Sequence, residues 1–89
     1  MTITTSTVEP GIVAVTANSP PVNAIDVAIR AGLKAGIARA QSDEAAKVIL
    51  ITCAGRTFMS GADLNELGGT IAEPGFYETL NDIEASTKP

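Results

Sequence analysis

The chain has 89 residues, of which 45% are apolar and only 3% aromatic; this allows one small core of Ile, Val, Leu and Ala and excludes two independent domains, which usually need ~100–200 residues each. Its formal charge of −4, from six basic and ten acidic residues spread along the chain, leaves no basic stripe to meet a phosphate backbone, so nucleic acid is excluded as a partner. With no His and a single Cys, neither a His-based triad, an internal disulfide nor a zinc site can be assembled.

The segment Met1–Thr7 has no basic region followed by an apolar one, and no apolar run approaches the ~18 residues that a bilayer requires. A cytoplasmic location with no membrane partner is expected. A core this thin gains a few kcal/mol at best, so the chain is expected to belong to a larger body or to an oligomer.

Residues 2 to 8 are Thr-rich, Glu9-Pro10-Gly11 is a turn signal, and Ile12-Val13-Ala14-Val15-Thr16 is apolar and β-branched, which predicts a hairpin with the Thr-rich arm at the sheet edge. Pro20-Pro21 makes the next stretch a rigid loop, because each proline fixes φ and restricts the residue before it. A helix should start directly after it, with Asn23 as N-cap, Val22 stapling onto Val27 and Asp26 at the third helical position, facing the free amides. Ile25, Ile29, Leu33, Ile37 and Ala40 recur at helical spacing to about Gln41, with Arg30, Lys34 and Arg39 displaced from that line. Gly32 and Gly36 fall near the apolar stripe and cost helix propensity, which predicts that the helix backbone approaches the strands closely.

Lys47-Val48-Ile49-Leu50-Ile51-Thr52-Cys53 is a β-branched run without alternation, predicting a strand buried on both faces with Cys53 as a small buried hydrophobe. Strand, helix and strand in this order predict a right-handed βαβ crossover and a parallel pairing, hence an α/β fold. A small-residue loop, Ala54 to Gly61, then leads into a short helical segment ended by Gly68-Gly69, and Phe76, Leu80 and Ile83 predict a last helix to about Ser86. Glu66, Glu73, Glu78 and Glu84 read as carboxylates on solvated helix faces, and Tyr77 and Arg56 as surface groups, Arg56 being also a candidate contact to a phosphate or ribose.

In open α/β sheets ligands gather at the carboxyl ends of strands, where the loop after Cys53 lies. Ser60-Gly61-Ala62-Asp63 meets the demands of an oxyanion donor: a free main-chain amide at the first turn of a helix, flanked by residues too small to block a carbonyl. The Ala62 amide is the candidate. The same residues equally describe an ordinary strand-to-helix turn with Asp63 as its cap.

Asn18-Ser19-Pro20-Pro21-Val22-Asn23-Ala24-Ile25 and Gly55-Arg56-Thr57-Phe58-Met59-Ser60-Gly61-Ala62-Asp63-Leu64 resemble the two N-terminal signature segments of the enoyl-CoA hydratase/isomerase (crotonase) family, in the right order and separated by a strand-helix-strand of fitting length. The wording is most similar to the hydratase part of multifunctional enoyl-CoA hydratase/3-hydroxyacyl-CoA dehydrogenases of fatty-acid β-oxidation. The resemblance implies that residues 1–89 are an N-terminal fragment of a crotonase-like domain, the first ββα units of a spiral fold. It implies acyl-CoA as substrate with no covalently bound cofactor, and the rest of that domain as partner in a parent that is a homo-oligomer. It also implies that the Ala62 amide is one of two donors to the thioester oxygen, that Ser60, Gly61, Ala62, Asp63, Leu64 and Asn65 line the acyl-CoA site, and that Val22, Asn23, Ala24 and Asp26 hold the coenzyme.

Met59-Ser60 and Ile25-Asp26 depart from the commoner family residues, which bears on the acyl pocket and on the coenzyme contacts respectively. The second donor and the two glutamates that act as acid and base belong to later family segments, so the 89 residues alone are expected to be inactive, with Lys88-Pro89 leading into a further strand. Two alternatives stay open: a self-contained, non-catalytic acyl-CoA- or protein-binding module, and a crotonase-fold enzyme of another reaction, such as a thioester hydrolase, decarboxylase or dehalogenase.

Overall fold

The computed structural model of the chain describes residues 2–66 and 68–89, the side chain of Thr2 excepted. Strand β1 (Thr2–Glu9) turns at Pro10-Gly11 into β2 (Ile12–Asn18), the two pairing antiparallel from Thr2 opposite Asn18 to Glu9 opposite Ile12. Helix α1 (Val27–Ser42) then crosses the sheet and β3 (Val48–Cys53) pairs parallel to β2, Ile12 opposite Val48 through Ala17 opposite Cys53. The sheet order among the described residues is β1-β2-β3. The Thr-rich arm is an edge strand, as its small share of apolar surface predicts.

Side chains alternate across β2: Val13, Val15 and Ala17 point to α1 and are buried with its Ile29, Leu33, Ile37 and Ala40. Gly36 makes this possible, because a Cβ there would lie 2.8 Å from Val15 Cγ1, and one on Gly32 would overlap Ile3. The two glycines are therefore where the helix backbone rests on the sheet. After β3 the chain makes one 3-10 turn, Leu64–Glu66, and closes with α2 (Phe76–Glu84), packed on α1. The end of that short turn at Gly68-Gly69 adjoins Leu67, which lies outside the described residues. Between the helices Lys34 Nζ meets Glu78 at 2.8 Å and Asp82 at 3.0 Å; the hydrogen bond to Glu78, then that to Asp82, holds the ammonium above the ordinary lysine range.

Two expectations need correction. The N-cap of α1 is Asp26, extended at φ −98°, whose carboxylate accepts from the Ile29 amide at 2.9 Å; Asn23 sits earlier, in a left-handed backbone conformation at φ 52° instead of the extended one typical of an N-cap. Strand β3 is not buried on both faces. Ile49, Ile51 and Cys53 pack towards α1, but Val48 and Leu50 are 37% and 46% exposed, because no element among the described residues covers the other side of the sheet.

Candidate functional site

Two loops 40 or so residues apart in sequence, 18–26 after β2 and 54–65 after β3, are hydrogen-bonded to each other along their length. The Ser60 amide donates to the Val22 carbonyl at 3.2 Å, the Ile25 amide to the Gly61 carbonyl at 2.7 Å, and the Asp63 amide to the Ile25 carbonyl at 3.2 Å. Ile25 and Ala62 thereby form a parallel bridge outside the main sheet. Asn23 completes the seam from inside: its Nδ2 donates to the carbonyls of Ala54 and Thr57, at 3.1 and 2.7 Å, and its Oδ1 accepts from the Ser19 amide at 2.7 Å. With 2% of its surface exposed and every side-chain hydrogen-bonding group used, Asn23 holds the loops together and has nothing left for an external ligand.

The bridge decides where the Ala62 N–H points. In a trans peptide the N–H is opposed to the C=O of the same plane, and the Gly61 carbonyl is turned inward to the Ile25 amide. The Ala62 N–H is therefore directed away from Ile25; like the adjacent Gly61 amide it has no hydrogen-bond partner among the described residues, while the amides of Ser60 and Asp63 are both spent. Ala62 itself is exposed. Gly61 carries this geometry at φ 136°; a Cβ there would meet nothing within 4 Å, so the demand for glycine is conformational, not steric.

The remaining predicted residues fall around this point. Ser60, Leu64 and Asn65 are exposed, Leu64 by 81%, and Val22 is 43% exposed. Asp63 accepts from the Asn65 amide at 3.0 Å and so caps the 3-10 turn; Ala62 precedes that cap and is not part of the first helical turn. The turn reading of Ser60 to Asp63 thus holds for Asp63. Asp26 is engaged at the start of α1, and Ala24 is half-buried. Met59 packs against the core, and Arg56, the candidate phosphate contact, is exposed. The groove between α1 and α2 is lined by other residues, among them Ile37, Ala38 and Ala85.

Two groups differ from their sequence reading, which has Arg30 displaced from the apolar stripe and Glu66 a solvated carboxylate. Arg30 is fully buried, and Glu66, read as a solvated carboxylate, meets its Nη2 at 2.8 Å. The same guanidinium donates to the carbonyls of Pro74, Ala72 and Ile25 at 2.7, 3.1 and 3.3 Å and lies 4.2 Å from the centre of the Phe76 ring. The signal was present: counting from Leu33, Ile37 and Ala40 at helical spacing, position 30 falls on the same stripe. Ile25 is only five residues away, but no signal in the sequence named the distant partners Glu66, Ala72 and Pro74, which lie 36 to 44 residues on.

The chain was compared with known proteins. The sequence profile of enoyl-CoA hydratase/isomerase matches residues 7–88. A peroxisomal bifunctional enzyme of Danio rerio is 33% identical over 82 residues, covering 92% of this chain and 11% of that protein. An indene-carboxyl-CoA hydrolase of Mycobacterium tuberculosis is 39% identical over 70 residues, covering 79% of this chain and 28% of the relative. Among solved structures, an enoyl-CoA hydratase of Mycobacterium marinum superposes with a TM-score of 0.85 at 23% identity, over 100% of this chain and 46% of that one, and so shares the fold. The chain spans less than a third of the length of either of these curated relatives.

Proposed function

Because this chain belongs to the enoyl-CoA hydratase/isomerase family, we propose that its two joined loops are part of an acyl-CoA thioester site in an enzyme of fatty-acid β-oxidation, with the Ala62 amide as one donor to the thioester oxygen. The observation that carries this reading is the direction of that N–H: outward, unpartnered among the described residues, and held by the bridge to Ile25. A peptide N–H has no titration near neutral pH, so it remains a donor while negative charge builds on the thioester oxygen as an enolate forms. A preorganised donor of this kind contributes roughly 10²–10³ in rate.

The coenzyme would then lie along the exposed rim of Val22, Ala24 and Ser60 to Asn65, while Asn23 and Asp26 act by fixing the backbone, since their side chains are occupied. The carboxylates beside Ala62 are also committed, Asp63 to its turn and Glu66 to Arg30, which leaves no uncommitted carboxylate beside Ala62 among the described residues. The 89 residues therefore bind without catalysing hydration; acid and base groups come from the rest of the parent, read as a homo-oligomer. The cytoplasmic address stays part of this reading, although one relative is peroxisomal by name. A hydrolase among the relatives supports a second reading, in which the same donor serves thioester hydrolysis.

Titrating the isotope-labelled chain with an acyl-CoA while following backbone amides tests the proposal. Perturbations are expected at Gly61 to Asn65 and Val22 to Asp26, with weak affinity, and the enoyl absorbance of a short 2-enoyl-CoA in the same samples should stay constant. Shifts confined to the α1–α2 groove, or loss of that absorbance, would contradict it.

A further inference from the structure

The outward direction of the Ala62 N–H depends on one peptide plane, and among the described residues that plane is gripped through Ile25 alone. We propose that the ion pair between the buried Arg30 and the half-buried Glu66 is the positioning device for this donor, holding residues 25–27 so that the Gly61–Ala62 peptide keeps its N–H outward. The inference rests on the acyl-CoA reading of the loop and adds the groups that aim it.

The Ile25 carbonyl is shared, accepting from the Asp63 amide at 3.2 Å and from Arg30 Nη1 at 3.3 Å. Glu66 uses its two oxygens differently: Oε1 takes Arg30 Nη2 at 2.8 Å, and Oε2 takes the Val27 amide at 2.9 Å. Ile25 and Val27 are thus fixed on either side of Asp26, directly opposite Ala62. A buried ion pair is a poor way to gain stability, because apolar replacements of equal volume usually serve as well or better. What no apolar side chain can do is reach four separate acceptors with one planar fork, and Arg30 does so while lying over Phe76. Neither side chain makes a hydrogen bond to Ala62; they act through the backbone they hold.

The scalar coupling across the hydrogen bond from the Ile25 nitrogen to the Gly61 carbonyl reads this geometry in the ligand-free chain. In Arg30→Met, which keeps the apolar stem, and in Glu66→Gln, which keeps the shape, that coupling should weaken while the couplings between β1 and β2 persist. If Arg30→Met does not fold, Glu66→Gln answers alone. Affinity for acetoacetyl-CoA, followed at the Ala62 amide, should fall about fivefold to tenfold in step, the loss of roughly one hydrogen bond, and Arg30→Lys should not restore it. An unchanged Ile25–Gly61 coupling, or a uniform loss through the whole sheet in both variants, overturns the positioning role. A wild-type Ala62 amide indifferent to the acyl-CoA overturns the functional reading instead, and the coupling then decides the positioning role by itself.

Discussion

Asn23 shows how a side chain can matter to a binding surface without touching what binds. Its left-handed backbone, φ 52°, is one that Asn tolerates better than most residues, and its amide group joins three backbone groups from two loops. Asn23→Ala removes both contributions and strands two half-buried carbonyls, so stability should drop by about 2–4 kcal/mol, read as a lowered urea midpoint. Asn23→Asp keeps the acceptor for Ser19 but sets a carboxylate against the Ala54 and Thr57 carbonyls, and should be no better. The sequence marks this residue as polar and near a helix start, which is why it reads as the N-cap. Asn and Asp serve equally well as N-caps, and the backbone conformation together with the hydrogen bond from the Ile29 amide assigns the cap to Asp26. Arg30 misleads for a related reason: a charged residue on an apolar stripe looks like an irregularity of the stripe until its distant acceptors are known.

Helix α1 carries the second lesson, that low propensity can record packing. Gly36 lies against Val15, with a virtual Cβ 2.8 Å from its Cγ1. Gly36→Ala gains up to about 1 kcal/mol of helix propensity but forces the helix off the sheet, a cost of ~1–3 kcal/mol, so a net loss of stability is expected. The exposed Ala35→Gly, one residue away, should lose only the propensity, and guanidinium melts of the two variants check the contrast. Periodicity made α1 and α2 legible within a few residues, and the β-branched run made β3 legible as a strand. Its second face was not, since such a run specifies extended backbone but not what covers it, and Val48 and Leu50 are in fact open.

At the scale of the whole molecule, the order hairpin, crossover helix and parallel strand brings two loops far apart in sequence to one end of the sheet. Strand β2 leads into the first loop, β3 into the second, and their parallel pairing places the two exits side by side. The two segments that carry the family resemblance are these loops, so their joining was foreseeable as proximity; the bridge between Ile25 and Ala62 that fixes the donor was not, because it is a backbone contact indifferent to side-chain identity. The central claim is that the Ala62 N–H polarises a thioester. The carbonyl stretch of a carbonyl-labelled acyl-CoA, recorded bound to the chain and to a version in which the residue-62 amide is replaced by an ester, tests it directly. A shift to lower frequency is expected in the native chain and should disappear in the ester. A bound thioester with the same frequency in both would contradict it.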